Sequence, residues 1–211
     1  MNRRLPVYLL LDTSGSMNGE PIEALKNGVQ LLVSTLRQDP YALETAYISI
    51  IGFGGGASLL LPLTELAAFQ PPILLARGDT QLGAALEMLT RQMALEVRKT
   101  TPESKGDWKP IVFLMTDGAP TDNWRRGLDA FRVTGAQLIA CGVGGLVDKD
   151  VLEEITDSVV LLDTADPSTI KAFFKWVSAS IAASSKQLEK TGGDFGSLQD
   201  LPPPPKEINI L

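Results

Sequence analysis

The chain has 211 residues, of which 44% are hydrophobic and 21% charged, enough apolar material for one packed α/β domain and far from a disordered composition. A net charge of −6 with scattered basic residues speaks against a nucleic-acid partner, which would require a concentrated basic face. Histidine is absent and Cys141 is the only cysteine, which removes imidazole bases, histidine-ligated zinc and any intrachain disulfide.

The first apolar run, Leu5–Leu11, is continuous rather than alternating, as expected of a parallel strand covered on both faces. At seven residues it is too short for a signal-peptide core, and polar, glycine-rich sequence rather than a cleavage site follows it. No apolar run approaches the roughly 20 residues needed to span a bilayer, so a soluble cytoplasmic protein is expected, with no membrane contact. Pro21–Gln38 carries Ile22, Leu25, Val29, Leu32, Val33 and Leu36 at spacings of three and four, which predicts an amphipathic helix. Thr45–Phe53 predicts a second strand. Gly54-Gly55-Gly56 then reads as a tight turn into an edge strand, Ala57–Leu61, ending at Pro62.

Further along, Thr80–Val97 predicts a helix, Pro110–Met115 a buried strand, Asp122–Val133 a helix and Ala136–Val143 a strand holding Cys141 in the core. A short helix over Asp148–Thr156 and a strand over Val159–Leu162 follow. Pro167–Lys186 predicts a long closing helix, with Trp176 as a packing residue. The alternation implies a doubly wound α/β fold: a mostly parallel six-stranded sheet, helices on both faces, and one short antiparallel edge strand. The domain is expected over residues 1–188. Residues 189–211, rich in Gly and Pro, read as a tail that is disordered or strapped to the surface, with partner docking through Pro202–Pro205 as the alternative.

The chemistry gathers at strand ends. Asp12-Thr13-Ser14-Gly15-Ser16 closes the first strand, and Thr116-Asp117-Gly118 closes the strand that neighbours it in the order 3-2-1-4-5-6. Gly78-Asp79-Thr80 opens the helix before that strand. In open parallel sheets ligands collect beyond the carboxyl ends of the strands at the point where the winding reverses. Singly, the hydroxyls of Ser14, Ser16 and Thr80 could cap helices, and Asp117-Gly118 could be an ordinary turn. Together they suit a hard divalent cation, which takes about six oxygens and tolerates bound water. Bound largely by neutral hydroxyls, such an ion stays electrophilic and can accept one further carboxylate.

At these residues the chain resembles the von Willebrand factor A domain family. Asp12–Ser16 matches the DxSxS motif, Thr80 the threonine of the second loop, and Thr116-Asp117-Gly118 the third loop. The resemblance implies a metal-ion-dependent adhesion site, with Ser14, Ser16 and Thr80 as direct ligands and Asp12 and Asp117 acting largely through water. Mg²⁺ is the implied ion, and Ca²⁺ or Mn²⁺ fit the same oxygen set. The implied function is metal-dependent protein binding through a partner's Asp or Glu, without catalysis, by a chain that is monomeric when free. Within the family, the single domain and the run TDGAPTD at Thr116–Asp122 resemble TerY-type proteins of bacteria. Those are associated with tellurite and stress-response gene clusters, often beside a kinase and a phosphatase, and they imply a cytoplasmic adaptor.

Asp79 departs from the family pattern by adding negative charge beside Thr80. Arg77, Trp124 and Arg125 are candidate partner contacts on the same rim, with Trp124 either exposed near the metal or packed at a helix start. Two enzyme readings compete. An aspartic protease needs Asp-Thr-Gly and a second catalytic aspartate in an all-β frame, whereas Ser14 stands where that glycine would be. A Mg²⁺-dependent phosphatase would use Asp12 as nucleophile, but its DxD pattern needs a second acid where Ser14 stands.

Overall fold

The computed structural model describes residues 3–191 and 201–211. Its seven-stranded sheet has the spatial order β3-β2-β1-β4-β5-β6-β7. The strands are β1 (Leu5–Asp12), β2 (Ala46–Phe53), β3 (Ala57–Glu65), β4 (Ile111–Thr116), β5 (Gln137–Val143), β6 (Val159–Leu162) and β7 (Asn209–Ile210). The helices are α1 (Glu20–Leu36), α2 (Pro40–Thr45), α3 (Leu82–Glu96), α4 (Trp124–Arg132), α5 (Lys149–Ile155) and α6 (Pro167–Thr191). Neighbours from β2 to β6 are parallel, while β3 and β7 are antiparallel edges.

Strand periodicity explains the two layers. From β1, Leu5, Val7, Leu9 and Leu11 enter one core with Leu25 and Leu32 of α1 and Phe173 and Val177 of α6. Tyr8 and Leu10 enter the other, with Leu86 and Leu89 of α3 and Leu128 of α4. Ile111, Phe113 and Met115 of β4 divide from Val112 and Leu114 in the same way. A strand that feeds two cores shows no polar alternation, hence the continuous apolar run. The winding reverses between β1 and β4, so their carboxyl ends flank the switch point.

Three features differ from the sequence expectations. Pro62 does not end the edge strand: β3 continues to Glu65, and the register slips opposite Ile48–Ile51 so that the proline falls in an irregularity. Ser49 donates its hydroxyl to the Leu61 carbonyl there, at 2.9 Å, and a proline at an edge bulge removes no needed ladder bond. The short helix α2 lies in a stretch to which the sequence reading assigns no element; Asp39 caps it by accepting from the Ala42 N–H at 2.9 Å, with Pro40 as its first residue. The sheet also has one strand more than expected. The described end of the tail pairs β7 with β6, buries Leu201 and Ile208, and accepts a hydrogen bond from Trp176 Nε1 to the Pro202 carbonyl at 2.8 Å. The stretch between, 192–200, lies outside the described residues.

Candidate metal centre

Three loops meet above β1 and β4, and backbone contacts hold them together. The Gly15 N–H donates to the Gly78 carbonyl and the Arg77 N–H to the Thr13 carbonyl, both at 2.8 Å. The Gly55 N–H donates to the Asp79 carbonyl at 2.9 Å. So close an approach needs glycine. A Cβ on Gly54 would lie 2.1 Å from the Thr13 carbonyl oxygen, and Gly78 combines φ 69° with a Cβ position 2.4 Å from Gly55 Cα. The glycine run after β2 is therefore the docking point of the loops that carry Ser14 and Thr80.

Asp12 is the buried base of the site, with 0% exposure. Its Oδ1 accepts from the Ser14 N–H at 2.8 Å and its Oδ2 from the Thr116 hydroxyl at 2.6 Å. Burial raises its pKa above the ordinary aspartate value, opposed by the hydrogen bonds from Ser14 and Thr116 and aided by the nearby charge of Asp117. Above it, Ser14 Oγ and Ser16 Oγ are 3.0 Å apart, and Ser16 donates to Asp117 Oδ1 at 2.8 Å. Thr80 approaches from the second loop: a Cβ on Gly118 would sit 3.3 Å from its Oγ1. That hydroxyl has no hydrogen-bond partner among the described residues, although Thr80 is only 7% exposed. The Thr80 carbonyl is fixed by the Thr121 N–H at 2.9 Å and hydroxyl at 3.1 Å.

The donor set fits a hard cation. Ligands in adjacent octahedral positions around Mg²⁺ at about 2.1 Å are about 3 Å apart, and the Ser14–Ser16 and Ser16–Asp117 oxygens are separated by 3.0 and 2.8 Å. The unpartnered Thr80 hydroxyl is a further oxygen available for ligation. Among the described residues no group of three or more acidic or thiol side chains forms a metal cluster, so the set is dominated by hydroxyls. All five residues singled out in the sequence, Asp12, Ser14, Ser16, Thr80 and Asp117, lie on these three loops.

The flanking candidates fare differently. Arg77 and Asp79 are exposed on the second loop. Trp124 is 7% exposed and packs in the core beneath α3 and α4 rather than standing free, because it opens α4 against the first turn of α3. Arg125 lies over the Trp124 ring and is engaged with Glu154, through contacts of 2.9 and 2.8 Å. Asp122 has a role that linear reading misassigned. It was expected to start the helix that follows it, yet its carboxylate caps α3, accepting from the Gly83 and Ala84 N–H groups at 2.9 Å each. The contact spans 38–39 residues, so nothing in local sequence pointed to it.

No helix among the described residues is long and apolar enough to cross a membrane. The family model for the von Willebrand factor type A domain matches residues 7–175. A curated relative, the uncharacterised protein sll0103 of Synechocystis sp., is 31% identical over 124 residues, covering 56% of this chain but 26% of its own length. The chain thus spans about a quarter of that relative. Among solved structures, proximal thread matrix protein 1 of the mussel byssus, described with a zinc-occupied MIDAS motif, superposes with a TM-score of 0.63 at 21% identity, over 86% of this chain and 48% of that one. The pilus adhesin SpaC of Lactobacillus rhamnosus GG gives 0.67 at 16% identity, over 86% and 30%. BatB of Bacteroides thetaiotaomicron gives 0.57 at 21% identity, over 82% and 97%. These likenesses bear on the fold, and with the family match across both halves of the sheet they lead to one statement: the chain belongs to the von Willebrand factor type A domain family.

Proposed function

We propose that Ser14, Ser16 and Thr80 hold a divalent cation, Mg²⁺ in the first instance, and that this site binds a protein partner through an Asp or Glu side chain. The observation that carries the reading is the converging oxygen set: two serine hydroxyls 3.0 Å apart, one of them 2.8 Å from a carboxylate, above a buried aspartate. The bound ion would supply an electrophilic position for the partner's carboxylate. Asp12 contributes charge from below while fixing the Ser14 loop and the Thr116 hydroxyl, and Asp117 orients Ser16. Arg77 and Asp79, exposed on the rim, modulate the approach of an acidic partner. A hydroxyl-rich site leaves most of the ion's charge uncompensated, which favours an anionic partner ligand.

Asp12 as the nucleophile of a phosphatase is disfavoured by its complete burial and by the hydrogen bonds to both its oxygens. The non-catalytic reading is further favoured by the lack of a second acid at Ser14. The TDGAPTD run is what ties the chain to TerY-type adaptors in a tellurite or stress-response system, working in the cytoplasm with a kinase or phosphatase. Part of that run has a structural use here, since Asp122 caps α3. Calorimetric titration of Mg²⁺ into the wild type and into Asp12→Ala/Ser14→Ala, with phosphatase turnover assayed on the same samples, tests the reading. Binding confined to the wild type without turnover supports it. Turnover lost in the double variant would replace it with the enzyme reading.

A further inference from the structure

Beside the three loops runs a groove that the metal site does not use. Its floor is backbone: Gly52, Gly54 and Gly56 place no side chain in it. Its walls are Leu60 of β3 on one side and Ile73 and Leu75 on the other. The second wall belongs to the extended segment leading up to Arg77. Leu74 points into the core with 1% exposure, whereas Ile73 and Leu75 are 78% and 64% exposed. Two large aliphatic side chains presented outward at alternate positions give the groove one continuous apolar wall.

The groove adjoins the first and second metal loops where they meet. Thr13, which lines it, lies between Asp12 and Ser14 in the chain, and Arg77 is hydrogen-bonded through its N–H to the Thr13 carbonyl at 2.8 Å. The Arg77 guanidinium has no ion pair among the described residues. A cation site, an unpaired arginine and an aliphatic slot therefore follow one another along one surface. The cation and Arg77, which unlike Asp79 lines the groove, select an acidic occupant, and the slot an aliphatic side chain next to it.

We infer that the partner presents an extended acidic peptide in which the metal-binding Asp or Glu is followed or preceded, within about four residues, by a Leu, Ile or Val that enters the groove. This rests on the proposed metal-dependent binding and adds the partner's second determinant. Thr13 lines the groove and is flanked in the chain by Asp12 and Ser14, so the two sites adjoin; an extended chain, rising about 3.3 Å per residue with alternate side chains on one face, reaches from one to the other within a few residues. The groove is narrow enough to take one aliphatic side chain rather than a helix, and glycines on its floor let the peptide backbone come close.

The test uses synthetic peptides in a neutral Ser/Ala host, each with one Asp and either a Leu or a Ser at one to four residues on either side. Affinity for the whole chain is measured in excess Mg²⁺ and again in EDTA. Leu at a favoured spacing should bind about tenfold tighter than Ser there, the effect of burying much of one leucine. Ile73→Ser/Leu75→Ser, which removes a wall at exposed positions, and Ser58→Trp, which fills the groove, should each reduce that advantage below about threefold. Both should keep the Mg²⁺-dependent binding of peptides that carry Asp alone. Equal binding of Leu and Ser peptides at every spacing overturns the inference while leaving the metal reading intact, as does an advantage unchanged in both variants. Loss of Mg²⁺ dependence for every peptide overturns both readings. Sedimentation showing a wild-type dimer that Ile73→Ser/Leu75→Ser abolishes would assign the groove to a second copy instead.

Discussion

Asp122→Ala isolates a contact that joins two of the three loops. In the wild type the Asp122 carboxylate satisfies two N–H groups in the first turn of α3, both at 2.9 Å, from a loop 38–39 residues away. Loss of an N-cap typically costs about 1 kcal/mol, and loss of a negative charge at a helix N-terminus adds about 0.5 kcal/mol. Two donors left facing a half-buried site bring the expected destabilisation to about 2 kcal/mol. For a domain of this size that corresponds to a Tm lower by about 4–8 °C. Differential scanning calorimetry in EDTA reads this without interference from bound metal. Asp122→Asn, which keeps one acceptor and loses the charge, should fall between. The same loop carries Asp117, and Thr121 holds the Thr80 carbonyl, so Mg²⁺ affinity should also drop about threefold or more as the loops loosen. A Tm within about 1 °C of wild type in Asp122→Ala would refute the reasoning, because the cap would then contribute nothing beyond what water supplies.

Three further outcomes follow from other parts of the molecule. Gly28→Ala places a Cβ 2.2 Å from the buried Phe174 ring at the α1–α6 contact. Overpacking should outweigh the roughly 1 kcal/mol gained in helix propensity and leave a net loss of about 1–2 kcal/mol in urea unfolding. Asp166 accepts hydrogen bonds from the Ser168 and Thr169 N–H groups and from the Ser168 and Thr164 hydroxyls. These bonds, Ser168 first, hold its pKa well below the usual 3.8. A depressed folded-state pKa stabilises above the unfolded value, and that stabilisation is lost as pH falls. The gap in urea midpoint between wild type and Asp166→Asn should therefore be widest near neutral pH and narrow steadily below about pH 4. Trp176→Phe removes the donor to the Pro202 carbonyl while keeping an aromatic ring in the core. Amide exchange at Leu211, whose N–H donates to the Val159 carbonyl, should accelerate, while β1 and β4 remain protected.

What could be read from sequence was what depends on local pattern. The continuous apolar runs of β1, β4 and β5 and the three-four spacing of α1, α3 and α6 follow from burial, and burial is written residue by residue. The DTSGS and TDG segments are likewise short and contiguous, so the residues of the candidate centre could be named before any coordinates. The strand order around the switch point also followed, because alternation and right-handed crossovers leave few choices. The edges were another matter. β7 is two residues long and exists only because β6 offers an open edge and Trp176 anchors the preceding prolines. Pro62 looked like a terminator because the bulge that accommodates it belongs to the pairing with β2, not to β3 alone. For Trp124 the sequence left exposure and helix-start packing both open, and Asp122 read as the first residue of the helix that follows it. Both are instead claimed by α3, through packing and hydrogen bonds distant in sequence.

The central claim, that the hydroxyls of the first two loops hold a divalent cation, is tested most directly by locating one. Crystals of the chain grown with Mn²⁺ in place of Mg²⁺ give an anomalous signal above the manganese edge that marks the ion independently of any assumed ligand. The account predicts a peak within about 2.5 Å of Ser14 Oγ and Ser16 Oγ, absent from crystals of Asp12→Ala/Ser14→Ala. A peak only elsewhere on the molecule, or its persistence above the loops in the double variant, would contradict it.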